Sequence, residues 1–215
     1  MKYLFLSFLI SLNFKILAQD ETVSGRLPST PIPIEVVLGQ RSGFYQHIIS
    51  KNILADKYNF FNVSSFDSKW GENQDTHFII SNFLLRNLGK GFGFGIGAEI
   101  QGPGSFLTIG GQYSYATKKL LIVFFPSINI NGPTEYSQFS LIEYKPEINP
   151  GLKAYLRGQF LLTTNFNKLF RSYQQFRIGL QQENILYGFA VNLDQFHVPG
   201  IEKENYGVFI RMLLW

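Results

Sequence analysis

Charged side chains recur at alternate positions in several segments of this 215-residue chain. In residues 152–160, for example, Lys153 and Arg157 alternate with apolar residues. Because alternate side chains of an extended strand point to one face, this spacing gathers the charges on a single surface. Five basic and three acidic residues belong to this set, and we expect them to face an enclosed space: Glu99, Glu143, Lys153, Arg157, Arg171, Arg177, Asp194 and Arg211.

Such a charged face predicts one of two kinds of chemistry. Charges withdrawn from water must be paired, so the set can form a salt-bridge and hydrogen-bond network that fills a narrow interior. Alternatively, it can line a polar, somewhat cationic passage for small or anionic solutes. Both interpretations stay open at the level of the sequence.

The three histidines raise the question of hydrolysis by a His and Ser pair. His47 and Ser50 lie on opposite faces of a strand, and His77 and Ser81 stand about 13 Å apart on one face, beyond hydrogen-bond reach. A partner from a neighbouring strand stays open. No two histidines have metal-ligand spacing and there is no cysteine, so we expect no enzyme activity, metal or cofactor.

The elements that position these residues are strands. In residues 92–100, Phe92, Phe94 and Ile96 alternate with glycines, and residues 152–160 and 186–194 repeat the period of two. Segments of about ten residues, separated by turn residues, continue this pattern from residue 57 to residue 215. Residues 34–50 are a plug, one more strand, or a short hairpin that turns between Gly39 and Gly43.

The composition places these strands in a membrane. The chain holds 22 Phe, 11 Tyr and 20 Gly with only 16% charged residues. Yet after its apolar N-terminal segment it has no further apolar run long enough for a spanning helix. We therefore predict an all-β fold, a closed antiparallel up-and-down transmembrane β-barrel. Both termini of such barrels lie on one side, which favours ten or twelve strands. Tyrosines near strand ends suit the interfacial girdle: Tyr113, Tyr115, Tyr136, Tyr144, Tyr155, Tyr173, Tyr187 and Tyr206.

The first residues predict export. A basic start at Lys2 precedes the apolar run of residues 4–12, which is the outline of a signal peptide cleaved after Ala18 or Gln19. Its removal takes away Lys2 and Lys15 and no acid, so the net formal charge falls from +4 to +2. The predicted organisation is a signal peptide at 1–19, an N-terminal segment at 20–56 and a barrel at 57–215.

The last strand, from Tyr206 to Trp215, resembles the terminal strand of bacterial outer-membrane barrels, which ends in an aromatic residue and serves as an assembly signal. We predict the register that turns Arg211 inward, because an arginine on lipid is costly. The Ala18-Gln19 junction and the segments at 141–146 and 204–211 resemble small Bacteroidetes-type outer-membrane β-barrel proteins. That resemblance implies the fold and the compartment, but it does not suggest any particular activity.

The sequence thus predicts an outer-membrane barrel of a Gram-negative bacterium that acts as a narrow passive channel with an arginine-rich lumen. The alternatives are a closed structural or binding barrel, an outer-membrane lipid-modifying hydrolase, and a secreted, soluble lipocalin-like carrier. Expected partners are outer-membrane lipids and lipopolysaccharide, the barrel-assembly machinery through the terminal strand, and small solutes. No cluster of Lys and Arg suits nucleic acid.

Overall fold

The computed structural model describes residues 31–71, 76–102, 104–132, 134–165, 167–196 and 203–215. The predicted signal peptide at 1–19 and His197 lie outside these residues. No helix in the described part of the chain is long and apolar enough to cross a membrane.

The described residues form thirteen strands in one antiparallel sheet. The strands are β1 (Ile32–Gly39), β2 (Ser42–Ile53), β3 (Tyr58–Lys69), β4 (Thr76–Gly89), β5 (Phe92–Gln101), β6 (Gly104–Ala116), β7 (Leu120–Asn129), β8 (Tyr136–Tyr144), β9 (Glu147–Asn149), β10 (Leu152–Thr164), β11 (Leu169–Gln182), β12 (Ile185–Phe196) and β13 (Lys203–Leu214).

The sheet closes on itself. Each long strand pairs with the next along the chain, with β8 pairing to β10, and the ring is completed by β13 against β1, where Glu35 stands opposite Arg211. The three-residue β9 adds to β10 outside the ring. The chain is a closed barrel of twelve antiparallel strands with one extra short strand. This confirms the predicted fold class and its even strand count.

Residues 34–50 form a hairpin of wall strands. Of the three predicted options for this stretch, the structure shows the hairpin: β1 ends at Gly39 and β2 begins at Ser42. Within the described residues, the barrel wall therefore begins at Ile32, upstream of the predicted residue 57. Because β1 begins and β13 ends at the same end of the barrel, we call that end the terminus-side mouth and the opposite end the loop-side mouth.

The two faces of the wall differ in composition. Outward side chains are mostly large and apolar, as on β13, where Val208, Ile210 and Met212 are each about half exposed. Inward side chains include nearly all the buried charged residues. The inward face of β13 carries Asn205, Phe209 and Arg211, which is the register predicted for the terminal strand.

Candidate functional site

A cluster of buried charges crosses the lumen at mid-height. We define the central ion-pair cluster as Glu35, Glu143, Lys145, Arg157, Arg177 and Arg211. Glu35 pairs with Arg157 at 2.9 Å and with Arg177 at 2.8 Å, and these three side chains are at most 2% exposed. Three strands separate β1 from β10 in the wall, so the pair between Glu35 and Arg157 reaches across the interior.

The second carboxylate of the cluster is Glu143, which lies towards the terminus-side mouth. It pairs with Arg211 at 3.0 Å and with Lys145 at 2.7 Å. The hydroxyl of Tyr155 donates a hydrogen bond to Glu143 at 2.9 Å and accepts one from Arg211. A charge out of water is stable only when it is paired in this way.

Neutral side chains complete the layer. Arg157 donates to Gln46 at 2.5 Å and to Gln159, whose amide donates to the hydroxyl of Tyr173 at 2.9 Å. Arg177 donates to the side chain of Asn192 at 2.8 Å. These contacts join β2, β10, β11 and β12 across the interior, so the layer is a continuous network of wall side chains.

A separate charged layer lies at the loop-side mouth. Arg41 pairs with Asp67 at 2.8 Å, and Arg171 holds Asp194 through two hydrogen bonds of 2.6 and 3.1 Å. A small enclosed cavity lies between these pairs. Each arginine has its own carboxylate, and Lys203 lines the same cavity as a third cationic side chain.

The other half of the lumen is apolar. Rings from distant strands touch: Phe61 of β3 and Phe125 of β7 stack with centroids 5.1 Å apart, and Phe83 of β4 meets Phe125 at 4.5 Å. The full cluster comprises Ile48, Phe61, Val63, Phe83, Leu85, Val123, Phe125, Phe139 and Leu141. Gly110 makes room for Phe125, because a Cβ there would lie 2.8 Å from its ring.

The two halves together close the middle of the barrel. Tyr155 and Gln159 have no exposed surface, and Leu85 in the apolar half has none either. The structure therefore shows a lumen filled by wall side chains at mid-height.

Between this closed region and the terminus-side mouth lies a cavity of about 660 Å³. Turn residues such as Asp56 and Gly91 form its rim, and Arg211, Glu143 and Lys145 form part of its lining. Its apolar lining comes mainly from Ile48, Phe61, Leu121, Val123, Phe139, Leu141 and Leu213.

The predicted lumen residues fall into separate groups. The central cluster brings together Glu143, Arg157, Arg177 and Arg211, while Arg171 and Asp194 pair in the loop-side layer.

The two remaining residues of the predicted set lie apart from both groups. Glu99 accepts a hydrogen bond from Ser81 at 3.0 Å. Lys153 is half-buried two residues before Tyr155 on β10, towards the terminus-side mouth.

Sequence reasoning missed Glu35, the carboxylate shared by two arginines. Its signal was a single acid among Ile34, Val36 and Leu38, which is the pattern of a strand with one charge turned inward. The girdle prediction is wrong for Tyr155 and Tyr173: they are 0% and 5% exposed because their hydroxyls bond inside the network.

The two described histidines occupy different faces. His47 lies on the outer face, where its Nδ1 meets the hydroxyl of Tyr45 at 3.1 Å, and Ser64 across the strand pair bonds Asn62. His77 lies 2.5 Å from Lys203 and against Phe196 in the loop-side mouth. Among the described residues, no three His, Cys, Asp or Glu side chains converge as metal ligands.

Comparisons with known proteins give structural likeness alone. No protein-family model matches the chain, and no curated protein matches it. The structure is similar to the KdgM porin in complex with disordered oligogalacturonate, at a TM-score of 0.46 and 10% identity over 84% of this chain and 97% of that one. It is also similar to the NanC porin, at a TM-score of 0.45 and 10% identity over 87% of this chain and 100% of that one. A third similar structure is LpxR from Salmonella typhimurium, at a TM-score of 0.43 and 8% identity over 86% of this chain and 100% of that one.

Proposed function

We propose that this chain spans the outer membrane as a porin-like barrel with a narrow, arginine-lined passage that is shut in the state described here. The observation that carries the proposal is the distribution of charge between the two faces of one wall. Buried carboxylates and arginines pair inside, while outward positions expose Phe189 at 70%, Ile178 at 58% and Val208 at 51%. An apolar outer surface of this extent suits lipid better than water.

The few outward charges support a membrane band. By the alternation of the described barrel strands, the outward charged positions are Lys51, Arg86 and Glu204, and each lies within three residues of a strand end. Lys51 also contributes to the lining of the terminus-side cavity. Charges near strand ends reach the lipid headgroups, whereas charges at the centre would be costly. A soluble carrier would have no reason to keep the middle of its outer face free of charge.

The closure predicts how the barrel conducts. Wild-type protein refolded into a planar bilayer is expected to be silent or nearly so, because wall side chains fill the lumen. The double variant Arg157→Ser and Arg177→Ser removes two long side chains from the central cluster and should produce steps in conductance. Arg86→Ser is the matched control, since Arg86 lies on the outer face, and it should behave as wild type.

Two results would count against the closed passage. One is wild-type conductance that the double variant leaves unchanged. The other is a double variant that folds, as shown by heat-modifiable gel mobility, and stays silent.

We also propose that the barrel performs no covalent chemistry, with lipids, lipopolysaccharide and the assembly machinery as its partners. His47 and Ser64 face each other across a strand pair, but His47 is hydrogen-bonded to Tyr45 and Ser64 to Asn62. The engagement of each with another residue supports a barrel without hydrolase activity. Hydrolysis of lipopolysaccharide that disappears in His47→Ala would overturn it.

A further inference from the structure

The cavity at the terminus-side mouth combines features that a simple water-filled vestibule does not need. One wall consists of Phe61, Val123, Phe139 and Leu141, which also belong to the apolar half of the lumen. Arg211, Glu143 and Lys145 also line the cavity. An apolar wall that leads to a buried cation is the arrangement of a ligand site, where apolar surface supplies contact area and a few polar groups fix orientation.

The charges of the central ion-pair cluster are unbalanced. In the central ion-pair cluster, four cationic side chains share the two carboxylates of Glu35 and Glu143. Lys145 is 25% exposed at the cavity, and the side chain of Arg211 is only 6% exposed. Buried charge that lacks a counterion is unfavourable, so the cluster favours an additional anion.

An unpartnered donor at the same place supports this conclusion. Within the described residues, Nε of Arg211 is buried and has no hydrogen-bond partner. The guanidinium of Arg211, a residue that lines the cavity, therefore keeps one N–H that no described protein group accepts. A carboxylate or phosphate oxygen is the acceptor that a guanidinium binds most strongly.

We propose that this cavity binds a small anionic amphiphile, with its apolar part against Phe61, Phe139 and Leu141 and its carboxylate or phosphate towards Arg211 and Lys145. The volume of about 660 Å³ lies within the range of sites for small molecules. This inference goes beyond the closed passage, because the ligand enters and leaves by one mouth and never needs to cross the central cluster.

The test uses full-length mature protein in phosphatidylcholine nanodiscs and two photoreactive diazirine probes with the same twelve-carbon tail, a carboxylate and an alcohol. The carboxylate probe should cross-link inward residues of β3, β7 and β8, and unlabelled dodecanoate should compete. The alcohol should label these residues about tenfold less, because it lacks the charge-assisted hydrogen bond to the cations.

A pair of glycine variants separates the cavity from the surrounding lipid. Gly93 lines the cavity, and a Cβ there would meet its nearest atom at 3.6 Å, so Gly93→Leu fills space without a clash at the backbone. Gly111 lies on the neighbouring strand with its Cβ direction outward and open, which makes Gly111→Leu the matched control. Inward labelling should fall about tenfold in Gly93→Leu and stay unchanged in Gly111→Leu.

Either of two outcomes would overturn the proposal. Labelling confined to outward residues, or equal in the two glycine variants, would show that the cavity is not a site. Inward labelling by the alcohol at the level of the carboxylate would show that the cations do not select an anion. Neither outcome bears on the conductance of the barrel, so this test and that of the closed passage fail independently.

Discussion

Glu35 is the carboxylate that two arginines of the central ion-pair cluster share. Its two carboxylate oxygens are divided between Arg157 and Arg177, and the carboxylate is 2% exposed. Removing one member of a buried ion pair leaves the partner as an uncompensated charge, which costs more than the pair itself contributes. Here two arginines would lose their carboxylate at once.

Glu35→Gln should therefore destabilise the folded barrel while preserving the shape of the side chain. The expected loss in the free energy of unfolding is about 3–5 kcal/mol. Urea titration followed by the fluorescence of Trp70 and Trp215 measures it. Glu204→Gln, at an exposed outward position of β13, should change the same quantity by less than about 0.5 kcal/mol. Equal midpoints for the two variants would show that Glu35 is not needed to neutralise the arginines.

Strand β13 runs from the loop-side mouth to the terminus-side mouth, and its inward and outward faces differ in polarity. Its inward residue Asn205 accepts a hydrogen bond from the backbone of Arg41 on the loop side, and Arg211 belongs to the central ion-pair cluster. Between them, Phe209 packs in a second, smaller buried cluster with Val37 and Leu186. Its outward residues Val208 and Ile210 stay exposed to whatever surrounds the barrel. Because the side-chain period of a strand is two, a slip by one residue would exchange these faces.

An arginine scan along the outer face of β13 tests that membrane assignment by depth. Val208 lies near the middle of the strand, so Val208→Arg should cost about 2–4 kcal/mol in lipid, whereas Leu214→Arg at the strand end should cost about 0–1 kcal/mol. Urea titration in phosphatidylcholine vesicles gives both values. Equal small costs at the two positions would indicate that water, and not lipid, covers the outer face.

The sequence predicted strands well where the two faces differ in polarity, and less cleanly where they do not. On β5 and β10 the alternation is regular, and the observed bounds lie close to the predicted ones. On β3 the inner face carries Phe61 and Val63, while the outer face carries Asn62 and Ser64. The inner face also carries Asp67 and the outer face Phe66, so each face of β3 mixes polar and apolar residues and the hydrophobic period loses its contrast.

At the scale of the whole molecule, the barrel has an interior of two unlike halves. The charged half could be predicted, because strand alternation places Glu143, Arg157, Arg177 and Arg211 on the same face of the wall. The apolar half depends on contacts such as that between Phe61 and Phe139, which join strands on different sides of the barrel. Periodicity assigns residues to a face and does not say which strands approach across the lumen, so this half could not be predicted.

The proposed function requires lipid around the outer face of this barrel. The decisive experiment is fractionation of cells that express the full chain, combined with gel mobility with and without heating. We expect the protein to sediment with outer membranes, to require detergent for extraction, and to migrate differently before and after boiling, since a closed barrel stays folded in cold detergent. Recovery of the protein in the soluble fraction without detergent would rule out a membrane barrel.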